Sequence, residues 1–313
     1  MTFPDAFFFL SDQDAGWCGD PTACPIPAFS IAKSSQTRVD LLFPFMVGAN
    51  HPLYNFPWEL KHPQAFFIGR ANWGQSGKTF TVNGTPQNFF SRKYLSVLSS
   101  ERGDKVMCSL IDCCPQNLPG SRMADREWSM KDHARWSYLM HLDGVTYAYR
   151  LARIMHTNSV ILKEQSNWFE YYYRHLKEGV HYLSIFKDAP DDVLGVLAAH
   201  ENRTRDLQEL AFQSQAFAKR YLCPKARMLY FRRLLTRYVD MFRQPADGKN
   251  AMTDFINEVV WPIIQARQRG DLNYTYKDMK PYVAHRRLLE AVDRRLARLL
   301  QDMGGSLSSS GLR

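Results

Sequence analysis

No apolar run in this 313-residue chain reaches the length of a membrane span, no block of lysines and arginines interrupts it, and no two cysteines form a C-x-x-C pair. The first absence leaves no candidate transmembrane helix. The second argues against a nucleic-acid binder: the formal charge is +9, but the basic residues are spread along expected helices beside acidic ones. The third, with no histidine cluster nearby at zinc spacing, removes the usual cysteine metal site; Cys18, Cys24, Cys108, Cys113, Cys114 and Cys223 permit disulfides without requiring them. The opening MTFPDAFFFLSDQD lacks a basic n-region and has a short apolar patch, so it does not read as a signal peptide. Asn83, Asn202 and Asn273 start N-x-T glycosylation patterns, about as many as chance supplies.

What is present describes an ordinary globular chain, 45% hydrophobic and 23% charged, long enough for two domains. Aromatic residues at 13% suit sugar or base stacking and equally a well-filled core. The positive balance suits a phosphate-bearing partner or substrate. The organising stretch is Gly144–Lys163. Trp136–Leu142 reads as a buried strand, Asp143-Gly144 as a sharp turn, Tyr147, Leu151, Ile154 and Met155 as one helix face, Asn158 as its stop, and Ser159–Lys163 as a second strand. In such a βαβ unit the glycine turn sets free helix N–H groups at the sheet's carboxyl edge, where a phosphate binds, with Arg150 in reach. A plain core unit with a surface arginine fits the spacing equally.

Before it, Ala6–Leu10 reads as a buried strand ending near Asp12 and Asp14. Those two carboxylates fit a D-x-D metal site, a single general base, or a solvated acidic turn. The proline-bearing stretch 51–63 reads as an extended linker. Ala65–Ile68 is a strand closing on Gly69, and the loop Arg70–Lys78 is glycine-bearing. It is no P-loop, because Asn72 stands where Gly77-Lys78-Thr79 would need its first glycine. Arg92 opens a helix, and Lys105–Ile111 is a strand. Asn167–Leu176 reads as a short aromatic helix carrying Glu170, which suits a sugar or ribose hydroxyl pair or a plain exposed face. Strands and helices alternate from Ala65 to Tyr221, which predicts a parallel, doubly wound α/β sheet. Met228, Phe231, Leu235, Tyr238 and Phe242 stripe a further helix, with Arg232, Arg233 and Arg237 outside the stripe. Helices are expected over 250–264 and 286–303, and a disordered tail over 304–313.

The run YLMHLDGVTYAYRLARIMHTNSVILK with SNWFEYYYRHLKEGVHYLSIF resembles glycosyltransferase family 90, which holds protein O-glucosyltransferases and fungal capsule-associated xylosyltransferases. Weaker matches precede it in order: FPDAFFFLSDQD, PAFSIAKSS, then AFFIG with Arg92-x-x-Leu-x-x-Leu-Ser; together they cover roughly Phe3 to Tyr221. The resemblance implies a GT-B architecture and inverting transfer from a UDP-sugar to a protein or glycan hydroxyl, without a metal or other cofactor, in the endoplasmic reticulum or Golgi lumen. It implies Asp14 as general base, and Gly144, Val145, Thr146 and Tyr147 as N–H donors to a diphosphate that Arg150 neutralises. Glu170 would touch the donor, and Arg70 and Arg92 join the donor-binding set. This chain departs from the family pattern at Ile68, where members often carry arginine, with Arg70 following the glycine instead. Members also have a substantial segment before the position of Phe3, so an incomplete acceptor-side domain is expected over 1–61. A Rossmann-like nucleotide-sugar domain is expected over 62–243 and a helical extension with tail over 244–313. The alternative function is a catalytically inactive or truncated sugar-nucleotide-binding or interaction protein.

Overall fold

The computed structural model describes residues 2–4, 6, 8, 10–11, 28–34, 40–45, 51–70, 79–82, 85–111, 122–123 and 128–242, with isolated positions at 257, 261, 265 and 269. Asp12, Asp14, loop residues 71–78, the stretch 286–303, the tail 304–313 and nearly all of 250–264 lie outside the described residues.

In chain order come strands β1 (Phe29–Ser30), β2 (Ala32–Ser34) and β3 (Leu41–Leu42), a 3-10 turn at Trp58–Leu60, and β4 (His62–Arg70). A hairpin, β5 (Thr79–Val82) and β6 (Thr85–Asn88), leads to α1 (Ser91–Glu101), β7 (Val106–Ile111), β8 (Arg122–Met123), α2 (Met130–His133) and β9 (Trp136–His141). Then follow α3 (Arg150–Ile154), β10 (Val160–Glu164), β11 (Trp168–Glu170), a 3-10 turn at Tyr173–His175, and β12 (Leu183–Ile185). Helices α4 (Asp192–His200) and α5 (Thr204–Phe217), a π turn and α6 (Pro224–Phe242) come next.

Contacts divide the chain into two compact units. The first gathers Met1–Ser30, Gln36–Phe43 and Met228–Arg313. Within it, β1 pairs in parallel with β3, and Phe29 is the hub: Phe8 and Tyr238 pack on its ring at 4.8 and 5.1 Å. The stripe expected on α6 is present, with Leu235 and Tyr238 buried and Arg232, Arg233 and Arg237 exposed. Of the strand expected at Ala6–Leu10, Leu10 makes a single parallel bridge to Phe29, and Phe7 and Phe9 lie outside the described residues.

The second unit, Ile31–Ser35 with Pro44–Arg227, carries a six-stranded sheet in the order β12-β10-β9-β4-β7-β8, parallel at every pairing. Numbered within this sheet, the strands run 3-2-1-4-5-6, the order of a Rossmann-like fold. Its chain reverses direction across the sheet between β4 and β9. Every residue of β9 and β10 is buried, because helices cover both faces of a parallel sheet; that is why these strands read as unbroken apolar runs. Phe66 stacks on Trp136 at 4.0 Å, while Phe67 belongs to the core cluster holding Leu95, Leu110, Tyr138 and Leu162.

Two local expectations are corrected. The stretch 51–63 is bound into this unit rather than left as a linker: Tyr54 bridges Thr157, and the Asn158 side chain accepts from the Phe56 N–H at 3.0 Å and donates to its carbonyl at 2.9 Å. Asn167–Leu176 is not a helix, because Trp168–Glu170 pairs antiparallel with β2, Glu170 opposite Ala32.

Candidate functional site

An open parallel sheet binds ligands beyond the carboxyl ends of its strands, at the point where the strand order reverses. Here that point lies past Gly69 on β4 and Gly144 after β9. Two arginines from different elements reach it. Arg92, at the start of α1, donates from Nη1 to the Arg70 carbonyl at 2.8 Å and from Nη2 to the Leu142 carbonyl at 3.1 Å. Arg150, the first residue of α3, donates from Nη1 to the Ile68 carbonyl. The two guanidinium carbons stand 5.4 and 5.3 Å from the centroid of Phe67.

The glycines make room for these heads. A Cβ on Gly69 would stand 2.9 Å from Phe67 Cζ and 3.2 Å from Arg150 Nη2. One on Gly144 would meet Arg92 Nη2 at 3.4 Å, an ordinary contact. So Gly69 is the tighter position, although Gly144 drew the attention in the sequence. Ile68 supplies its carbonyl, and the exposed Arg70 takes part through its backbone oxygen.

Carboxylates brace the same edge. Glu164, which ends β10, accepts on Oε2 from Ser91 Oγ and from the Asp143 N–H, both at 3.0 Å. Asp143 Oδ2 accepts from Ser166 Oγ. Burial draws the Arg92 guanidinium below its ordinary value, while the charges of Glu164 and Asp143 pull it back up. Behind this layer, buried Lys163 donates to the Glu164 carbonyl at 3.2 Å and sits 4.9 Å over the Tyr173 ring, and the Tyr173 hydroxyl meets His141 Nε2 at 3.2 Å.

The phosphate seat differs from the expected one. Residues 144–149 form a loop, and α3 starts only at Arg150 and spans five residues, too short to present a row of helix-end N–H groups. The Gly144 N–H turns inward to the Thr146 carbonyl at 2.9 Å, whereas neither the Val145 nor the Thr146 N–H donates to a backbone carbonyl among the described residues. Val145 is exposed, Thr146 half-buried and Tyr147 buried. Glu170, expected on a helix face, is instead buried on β11, where the Tyr172 hydroxyl donates to its Oε1 at 3.2 Å and Tyr173 also hydrogen-bonds to it. Burial lifts its carboxyl to about 8; the two tyrosines and the Arg227 charge pull against that rise.

The structure therefore brings together Gly144, Arg150, Arg92 and the Arg70 backbone, sets Glu170 in the adjoining buried layer, and leaves Asp14 outside the described residues. Phe67, Asp143, Glu164, Lys163 and His141 were missed as site residues. Their common signal is a polar or ring-bearing residue at the carboxyl end of an apolar run. Among the described residues, no group of three or more His, Cys, Asp or Glu side chains could share a metal ion, and no helix is long and apolar enough to cross a membrane.

The model of the family described as glycosyl transferase family 90 matches residues 15–281. The O-glucosyltransferase rumi of Drosophila melanogaster is 26% identical over 271 residues, covering 77% of this chain and 62% of that protein. Protein O-glucosyltransferase 2 of Danio rerio is 23% identical over 238 residues, covering 72% of this chain and 42% of that protein. The chain spans about half the length of the curated relatives it matches. Among solved structures, the pneumococcal O-GlcNAc transferase GtfA in complex with UDP and GlcNAc has a TM-score of 0.42 and 8% identity, covering 65% of this chain and 41% of that one, a likeness too low to carry an argument.

Proposed function

This chain belongs to glycosyl transferase family 90, and on that footing we propose that it moves a sugar of the glucose or xylose class from a UDP-sugar to a hydroxyl of a protein or glycan acceptor, with inversion. The observation that carries this reading is the convergence of Arg92 and Arg150 on Phe67 at the point where the strand order reverses. A diphosphate leaving group needs positive charge and N–H donors at such an edge. Arg150 and the Val145 and Thr146 N–H groups supply them in this reading, with Arg92 and the Glu164–Ser91–Asp143 brace holding the loop and Arg70 at the rim. Glu170 acts from the buried layer as a neutral carboxyl near pH 7, able to donate to a donor-sugar or ribose oxygen.

Asp14 is the proposed general base. It takes the proton of the acceptor hydroxyl as that oxygen bonds to the anomeric carbon from the face opposite UDP. The bond from that carbon to the diphosphate oxygen breaks, and UDP departs with the electron pair. A GT-B arrangement and a luminal site in the endoplasmic reticulum or Golgi follow from the same reading.

The test is turnover by the purified chain of a panel of UDP-sugars, with and without peptide and glycan acceptors. Asp14→Asn is expected to abolish UDP release and leave UDP binding within twofold, and a chelator is expected to change neither. Failure of the unmodified chain to bind UDP would overturn the reading. Binding without release for every donor would make the chain a sugar-nucleotide-binding protein instead.

A further inference from the structure

The second unit also holds a cationic cluster that the donor seat does not use. His51 and His156 face each other with ring centroids 5.6 Å apart. His156 is buried, and its Nδ1 donates to the Ala152 carbonyl at 2.7 Å. Arg153, one helical turn beyond Arg150, and Arg227, 4% exposed, are the other charged neighbours of His51. Arg227 donates from Nε to the Leu222 carbonyl at 2.7 Å and from Nη1 to the Phe45 carbonyl, so its hydrogen-bond partners are neutral. Two polar atoms here, His51 Nε2 and Arg153 Nε, are buried with no hydrogen-bond partner.

We propose that His51, Arg153, His156 and Arg227 form a binding site for a tetrahedral oxyanion of the phosphate or sulfate class, separate from the donor seat around Arg150. The unsatisfied Arg153 Nε–H and the like charges of Arg153 and Arg227 around His51 each oppose folding, and one oxyanion relieves both. A metal cation is the wrong partner, because two guanidiniums keep their charge at any physiological pH. Glu170 feels the charge of Arg227, but burial keeps its carboxyl largely protonated near neutrality. Burial and the charges of His156, Arg153 and Arg227 hold the His51 imidazole down at about 4. A bound oxyanion offsets the charges of Arg153 and Arg227, so its binding favours the protonated imidazole.

The experiment titrates the full chain with sodium sulfate, whose charge is constant between about pH 5.5 and 8, following heat release and thermal melting. Saturable one-site binding is expected, tighter at the acid end. Arg153→Gln is expected to weaken it about tenfold or more, while leaving the melting temperature in sulfate-free buffer unchanged or raised. His51→Gln should remove the pH dependence. Inorganic phosphate should compete with sulfate, and UDP affinity should be the same in Arg153→Gln as in the unmodified chain. A sulfate response that is unsaturable, or equal in all three proteins, would overturn the site. Loss of UDP affinity by the same factor would overturn its separateness and assign the cluster to the donor seat.

Discussion

Arg92 and Arg150 share one aromatic ring: their guanidinium carbons lie 5.4 and 5.3 Å from the centroid of Phe67. One comes from α1 and the other from α3, on either side of the excursion through β7 and β8. Each is tied by its fork to a backbone carbonyl at a strand end, and the ring beneath gives both cations a negative face. Two charges held this way are positioned before any ligand arrives, so little ordering remains to oppose binding.

Arg150→Ala is expected to weaken UDP binding by about 10- to 100-fold, the size of a lost charge-assisted contact. Arg150→Lys should recover only part, since an ammonium cannot keep the Ile68 carbonyl and reach an anion with a planar fork. Isothermal titration with UDP measures both; an unchanged dissociation constant for Arg150→Ala would remove the phosphate role.

The two glycines should separate. Gly69→Ala places a methyl 2.9 Å from Phe67 Cζ and 3.2 Å from Arg150 Nη2, so it should cost about 1–3 kcal/mol in stability and weaken UDP binding as Arg150 is displaced. Gly144→Ala meets nothing closer than 3.4 Å and should stay within about 0.5 kcal/mol. Urea denaturation of the two variants gives the order; a reversed order would contradict it.

Glu164→Ala strips two hydrogen bonds at once, leaving Ser91 Oγ and the Asp143 N–H without their acceptor, for a loss of about 3 kcal/mol. Ser91→Ala alone should cost about 1 kcal/mol, and the double variant should show coupling above about 0.5 kcal/mol. Strict additivity in the cycle would mean that the pair does not brace the edge.

The pH response of Glu170 has a definite sign. Its folded value of about 8 lies above its ordinary 4.5, so between those limits the folded chain holds a proton that the unfolded chain has released. This group's contribution therefore weakens stability as pH rises from 4.5 to 8, by at most about 1.4 kcal/mol per unit. Glu170→Gln should gain on the unmodified chain between pH 5 and pH 8. Denaturant unfolding at the two pH values checks this, and a difference independent of pH would place the carboxyl in a solvated, ionised state.

Local pattern sufficed for much of the second unit and for the long helix of the first. The apolar runs at β4, β7, β9 and β10, the helix opened by Arg92 and the stripe on α6 are all legible, because burial on one or both faces imposes a period on neighbouring residues. Arg150 and Gly144 were also legible, through a strand–turn–helix order and a family resemblance. Glu170 was misread because its strand exists only by pairing with β2, far away in the chain, while its own neighbours have the spacing of a helix. Asn158 similarly looked like a helix stop, yet its amide pins the stretch 51–63 to this unit.

The chain's own order of residues thus settled the apolar strands β4, β7, β9 and β10, and where the glycines and arginines lie along the chain. Which strands became neighbours was beyond its reach. Hydrogen-bond pairing between distant segments set β9 beside β4 instead of beside β8, and that placement brings Arg92 and Arg150 to one ring. Side-chain periodicity is a property of adjacent residues, whereas strand order is a property of the whole sheet.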